Sequence, residues 1–185
     1  MPAICVLNMS NDLSASQLVL GAVAGPEPIK DPAAIPETDP LVLYVVGHAI
    51  PNGLFVTAAP GAAATRVSEA VVAHAIAARR GNQPTLVIWD TCFAASFLAI
   101  PNFTWTDNFV HMFSCQAHER SWHSGGVDKV TLFSDKLKAA LVVCREAGAC
   151  TWTALEDELR KQLGNLQTPQ IVSFGPAPSA FDLFD

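Results

Sequence analysis

Charge is scarce in this chain: Asp, Glu, Lys and Arg make up only 15% of it, the net charge is −6, and no basic run occurs anywhere. The electrostatic footprint that a phosphate backbone requires is missing, so nucleic acid is not an expected partner. There is no C-x-x-C pair, and the five cysteines (Cys5, Cys92, Cys115, Cys144, Cys150) make an odd count, which argues against a disulfide framework. A reducing, cytoplasmic setting is expected instead. The start, "MPAICVLNMSND", has no basic segment ahead of an apolar one, so no secretory signal is expected. The longest uncharged stretch, Leu41 to Thr65, is interrupted by "IPNG" and "APG", which a membrane helix could hardly carry in series. No membrane association is expected.

What is present is apolar. Half of the 185 residues are hydrophobic, enough for one domain, residues 1–185, with a sizeable core. "AICVLNM" has strand length, and "DLSASQLVLGAVAG" reads as a helix entered at Ser14 or Ser16 and stopped by Gly25-Pro26. Five prolines between Pro26 and Pro40 then forbid regular structure and mark a surface loop. "LVLYVVG", Leu41 to Gly47, is continuously apolar and β-branched, the pattern of a parallel strand covered on both faces. "GLFVTAA" reads as a hairpin strand. "TRVSEAVVAHAIAARRG" reads as a helix that places Val67, Val71, Ala75 and Ala78 on one face, with Arg79 and Arg80 near its end and Gly81 as its stop. "PTLVIWD" and "NFVHMFSCQ" are two further buried strands, followed by two helical patterns, "DKVTLFSDKLKAALVVCREAG" and "TWTALEDELRKQLG", and a last strand "PQIVSFG". Strands alternating with helices predict an α/β fold, a three-layer α/β/α sandwich around a mostly parallel sheet.

In such sheets ligands bind beyond the carboxyl ends of the strands. His48 ends one predicted strand, and Asp90-Thr91-Cys92 ends another, on the same edge. A thiol attacks carbonyls as thiolate; a histidine beside it can take its proton and later protonate the leaving amine. The amino terminus of a helix after Cys92 would favour the thiolate through its dipole.

These residues carry a family likeness. "LYVVGHA" and "LVIWDTCFAASF" resemble the two catalytic strands of caspase-like cysteine peptidases, the group of caspases, metacaspases and gingipains, here of a bacterial type. In caspases the histidine lies roughly 50 residues before the cysteine; here the separation is 44. "FVHMFSCQAHERSW", "GGVDKVTLFSDKL" and "QTPQIVSFG" resemble downstream landmarks, so the likeness spans about residues 41–174, while the first 40 residues match poorly. It implies a caspase-like fold, His48 as general base and acid, Cys92 as nucleophile, and the amides of Cys92 and Ala49 as an oxyanion hole. Each such donor contributes about 2.7–4 kcal/mol in comparable enzymes. Asp90 resembles the acid of the metacaspase D-x-C pattern and would select arginine or lysine before the scissile bond; alternatively it caps the next helix. Ser114, Cys115 and Glu119 belong to a loop that the likeness makes a wall of the substrate cleft. The expected ligand is a protein or peptide substrate, a regulatory protein partner is a further expectation, and no cofactor or metal is expected.

Other readings stay open. Cys115, His118 and His123 form C-x2-H-x4-H, which offers only three zinc ligands and no second cysteine nearby. His74, within a helix, and His111, within a strand, read as packed or surface residues. Ala49 and Ala94-Ala95 stand where the family commonly has glycine; alanine keeps the N–H but tolerates positive φ poorly. That departure favours a second expectation, a catalytically impaired interaction module of the same fold. A third is an acyl-transferring hydrolase of small esters or amides.

Overall fold

The computed structural model describes residues 3–8, 40–56, 63, 65–80, 83–122, 131–148 and 150–175. The helix expected in residues 12–25, the proline-rich loop up to residue 39, and His123 lie outside them. In chain order the elements are β1 (Ala3–Asn8), β2 (Leu41–Gly47), β3 (Ala49–Ile50), β4 (Gly53–Val56), β5 (Thr65–Ser68), α1 (Glu69–Arg80), β6 (Thr85–Thr91), a 3₁₀ turn (Ala94–Leu98), β7 (Phe109–Phe113), α2 (Leu132–Glu146), α3 (Trp152–Leu163) and β8 (Gln170–Phe174).

The central sheet has the order β1-β2-β6-β7-β8. Its first three pairings are parallel and β8 runs antiparallel to β7. Every residue of β2, β6 and β7 is buried, as continuous apolar runs between two helical layers require. Alternate side chains feed two cores. On one face Leu43, Val45, Val87 and Trp89 pack with Ala73 and Ile76 of α1 and with Phe97 of the 3₁₀ turn. On the other, Val42, Tyr44, Ile88 and Met112 pack with Phe133 and Leu137 of α2 and with Leu155 and Leu159 of α3. This is the three-layer α/β/α arrangement that the alternating pattern predicts. A small antiparallel sheet, β3-β4-β5, follows β2, and its first turn, Pro51-Asn52, has Asn52 at φ 66, the second central position of a type II turn.

Two expectations about helices are corrected. Val67 lies in β5, and α1 begins at Glu69. The buried stripe of α1 is Ala73 and Ile76, whereas Val71 is 59% exposed and Ala75 and Ala78 face outward. A helix this rich in alanine offers several nearly equivalent apolar stripes, and tertiary packing selects one. After Cys92 there is only the five-residue 3₁₀ turn, so an extended helix dipole at the thiol is absent. Among the described residues no helix is long and apolar enough to cross a membrane.

His111 is sealed within the aromatic side of the core, stacked with Trp89, Phe109 and Phe113. Its Nδ1 accepts the Trp89 indole N–H at 3.0 Å, and among the described residues its Nε2 has no hydrogen-bond partner. Burial lowers its pKa from 6.5 to about 3. A histidine depressed in this way binds its proton more readily unfolded than folded. Its contribution to stability is therefore full above pH 6.5 and is lost as the pH falls toward about 3. His111→Gln, which keeps an acceptor for Trp89, is expected to flatten the dependence of unfolding free energy on pH across that window. Urea denaturation at a series of pH values measures it, and a wild-type slope in the variant would contradict the assignment.

Candidate active site

The carboxyl ends of β2 and β6 build the site. Their parallel register pairs Val46 with Asp90 and Gly47 with Thr91, so the next residue of each chain, His48 and Cys92, leaves the sheet side by side. Neighbouring strands lie about 5 Å apart, within reach of an imidazole and a thiol. His48 is exposed and Cys92 half-buried, which leaves both in reach of solvent. Ala49 begins β3 directly after His48, half-buried and paired with Leu54. The Cys92 thiol donates to the Ser121 carbonyl at 3.8 Å.

The chain turns immediately after Cys92. Phe93 adopts the left-handed conformation, φ 57 and ψ 28, and its N–H donates to the Glu119 carbonyl at 2.8 Å. From below, the Ser114 hydroxyl and the Cys115 thiol donate to the Thr91 carbonyl at 3.1 and 3.3 Å, and the Ala95 N–H donates to the Cys115 carbonyl at 3.1 Å. Ser114 and Cys115, expected in a cleft wall, are thus fully buried and support the turn from inside. Burial also pushes the Cys115 thiol up to about 11, far from a thiolate at neutral pH.

The Glu119 carboxylate is held within its own loop and by the chain before β8. It accepts the Gln116 N–H at 3.1 Å, and the Thr168 N–H and hydroxyl at 2.9 and 2.8 Å. Partial burial opposes its charge, but these bonds outweigh that and hold its pKa below the usual glutamate range. Gln167 secures the same loop: it accepts the Trp122 N–H at 3.1 Å and donates to the Ser114 carbonyl at 2.9 Å. Among the described residues no group of three or more His, Cys, Asp or Glu is placed to hold a metal ion; Cys115 is buried and His118 exposed.

Asp90 does not cap the turn after β6. It is 1% exposed and points to the opposite side, toward the start of α2. Its Oδ2 receives the hydroxyls of Tyr44 and of Thr131, the residue that caps α2, together with that of Ser134 at 2.8 Å. Its Oδ1 receives the Ser121 hydroxyl at 3.3 Å. Ser121 therefore contacts both Cys92, through its carbonyl, and Asp90, through its side chain. Burial raises the Asp90 pKa, although all four hydroxyls favour the charged form. Burial beside Asp90 likewise holds the Tyr44 phenol well above its ordinary range, as a neutral donor. Tyr44, Ser121, Thr131 and Ser134 were not singled out from sequence. The signal available was that Tyr44 is the one tyrosine of the chain and lies in a buried strand, where its hydroxyl needs a partner.

No family model matches the chain, and no curated protein matches it in sequence. Among solved structures, it is similar to the crystal structure of caspase-1 from Spodoptera frugiperda, with a TM-score of 0.51 and 16% identity, covering 80% of this chain and 68% of that one. The fold is caspase-like.

An acid whose folded pKa is raised binds its proton more tightly folded than unfolded. The Asp90 contribution to stability is therefore full below pH 3.8 and is lost as the pH rises through the raised value. Asp90→Asn stays neutral throughout. The unfolding free energy of the wild type, taken relative to that of D90N, is expected to fall as the pH rises from 3.8, read from denaturant midpoints. A wild type that holds or gains stability relative to D90N over that range contradicts burial of this carboxyl group.

Proposed function

We propose that the protein is a cysteine endopeptidase that works through a Cys92–His48 dyad. The observation that carries this reading is the β2–β6 register, which brings the ends of both strands, and hence a thiol and an imidazole 44 residues apart, to one edge. His48 takes the Cys92 proton, and the thiolate attacks the scissile carbonyl. The N–H groups of Cys92 and Ala49 hold the oxyanion; the Phe93 N–H is already taken by the Glu119 carbonyl and does not contribute. His48 then gives its proton to the leaving amine, and water, deprotonated by His48, hydrolyses the thioester.

In this reading Asp90 sets a preference for arginine or lysine before the cleaved bond. The route is through Ser121: its hydroxyl is the donor on Oδ1, and a guanidinium or ammonium that replaced it would gain a charge-assisted bond to a buried carboxylate. A second reading, an interaction module that keeps the fold without turnover, is favoured by one contact, the Cys92 thiol engaged by the Ser121 carbonyl. A partner protein in place of a substrate would then bind the same edge.

A peptidyl electrophile ending in arginine separates the two. The peptidase reading expects an adduct at Cys92, lost in Cys92→Ala and slowed about 10²–10⁴-fold in His48→Ala, the usual worth of a positioned proton-transfer group. Mass spectrometry locates the adduct. Equal labelling of all five cysteines counts against the dyad. Asp90→Ala is expected to remove the preference of arginyl over leucyl probes, and an unchanged preference removes Asp90 from the specificity pocket.

A further inference from the structure

Behind the two strand ends sits a second buried carboxyl group. Glu69 is the first residue of α1, a place where acids usually stay solvated, yet it is only 6% exposed. One of its oxygens meets the Ser96 hydroxyl, in the 3₁₀ turn that follows Cys92. The backbone amide of Asn52, in the turn that follows His48, also hydrogen-bonds the Glu69 carboxyl group. Arg66 of β5 is the charged group that the small sheet brings against it, and its guanidinium donates to the Asn52 carbonyl at 3.3 Å. Gly53 leaves the room for this: a Cβ there would stand 2.8 Å from Arg66 Nε. One side chain thus bridges the segment after the histidine and the segment after the cysteine.

The hydrogen count of this bridge is informative. The Ser96 hydroxyl lies 2.6 Å from the Phe93 carbonyl, which can only accept, and it also meets Glu69. A hydroxyl has one hydrogen. If it serves Phe93, the Ser96 oxygen must accept from Glu69, and the carboxyl group is then the neutral acid. Burial pushes Glu69 in that direction, above the usual glutamate range, against the opposing effects of Ser96, Asn52 and Arg66. The carbonyl so held belongs to the residue whose left-handed torsions turn the chain away from Cys92.

We propose that Glu69 is a positioning residue for the Cys92–His48 pair, a neutral acid that donates to Ser96 and accepts from Asn52 and so fixes the Cys92 turn against the hairpin that carries His48. The proposal rests on the peptidase reading and says which group keeps its two partners in register. Glu69→Gln preserves both bonds, because its amide N–H₂ donates to Ser96 and its carbonyl accepts from Asn52. Glu69→Ala and Ser96→Ala break the bridge.

The experiment measures two quantities on the full chain: the rate of Cys92 alkylation by iodoacetamide, and kcat and KM on an arginyl peptide. Glu69→Ala and Ser96→Ala are expected to lose about tenfold to a hundredfold in both the alkylation rate and kcat, the scale of a small misplacement of reacting groups. KM should change by less than about threefold, since substrate contacts are not removed. Glu69→Gln should stay within about threefold of wild type in all three. Glu69→Gln as slow as Glu69→Ala overturns the neutral-donor assignment, and wild-type rates in Ser96→Ala overturn the bridge. Should Glu69→Ala fail to fold, Ser96→Ala and Glu69→Gln, each checked for an unchanged thermal midpoint, decide the matter. Absence of turnover in the wild type is failure of the peptidase reading, and it is distinct because alkylation still reports whether Glu69 acts on Cys92.

Discussion

The parallel register of β2 on β6 is the constraint on which the candidate site depends. Side chains alternate along a strand, so a slip by one residue would move every side chain of β6 to the wrong face. Both faces oppose such a slip. Trp89 would leave its stack on Phe97, where the ring centroids are 3.9 Å apart, and Asp90 would leave the hydroxyls of α2. The Tyr44–Asp90 hydrogen bond pins the register directly. Tyr44 pairs with Ile88, and its phenol reaches diagonally to the residue two places further on. A polar contact in one core and an aromatic stack in the other therefore specify where His48 and Cys92 emerge.

Past the strand ends the backbone has no ladder to hold it, and side chains take over. Thr91, Phe93 and Ala95 are each tied through a main-chain group to the loop after β7. That loop is in turn tied through Glu119 and Gln167 to the residues before β8. The residues that the family likeness placed in a substrate wall thus form a chain of hydrogen bonds running under the cysteine. The burial of Ser114 and Cys115 is consistent with that task, since unpaired polar groups there would be costly.

Much of this architecture was legible in the sequence. Apolar runs of strand length identified β2, β6 and β7, and two helical patterns after them became α2 and α3. The shared edge of His48 and Cys92 followed from two strands ending in reactive residues, once those strands were taken as neighbours. The cage around Asp90 was hidden because its donors come from β2, the loop before α2 and α2 itself, at sequence separations of 31 to 46. Periodicity identifies a strand face, but it does not pair a lone tyrosine with a serine and a threonine some 90 residues away. The Glu69 bridge was hidden for the same reason, since an acid in the first turn of a helix ordinarily needs no explanation beyond the dipole.

Ala49, Ala94 and Ala95, which stand where caspase-like peptidases commonly have glycine, bear on whether the proposed site can work. Their cost would come from a demand for positive φ, and the torsions put that demand elsewhere. Among the described residues, non-glycine positive φ occurs at Asn52, Phe93, Asn102 and Asn108. Ala49 lies in a strand, and Ala94 and Ala95 open the 3₁₀ turn, conformations in which a Cβ is unstrained. The left-handed residue is Phe93, directly after the candidate nucleophile, and its strain is opposed by three bonds: its N–H to Glu119, and its carbonyl from both the amide and the hydroxyl of Ser96. Alanine therefore restricts the backbone at positions that do not use the freedom of glycine, while the strained position is held by neighbours. On backbone grounds the site remains compatible with nucleophilic chemistry, and the choice between peptidase and interaction module passes to Ser121, which contacts the thiol and the buried acid together.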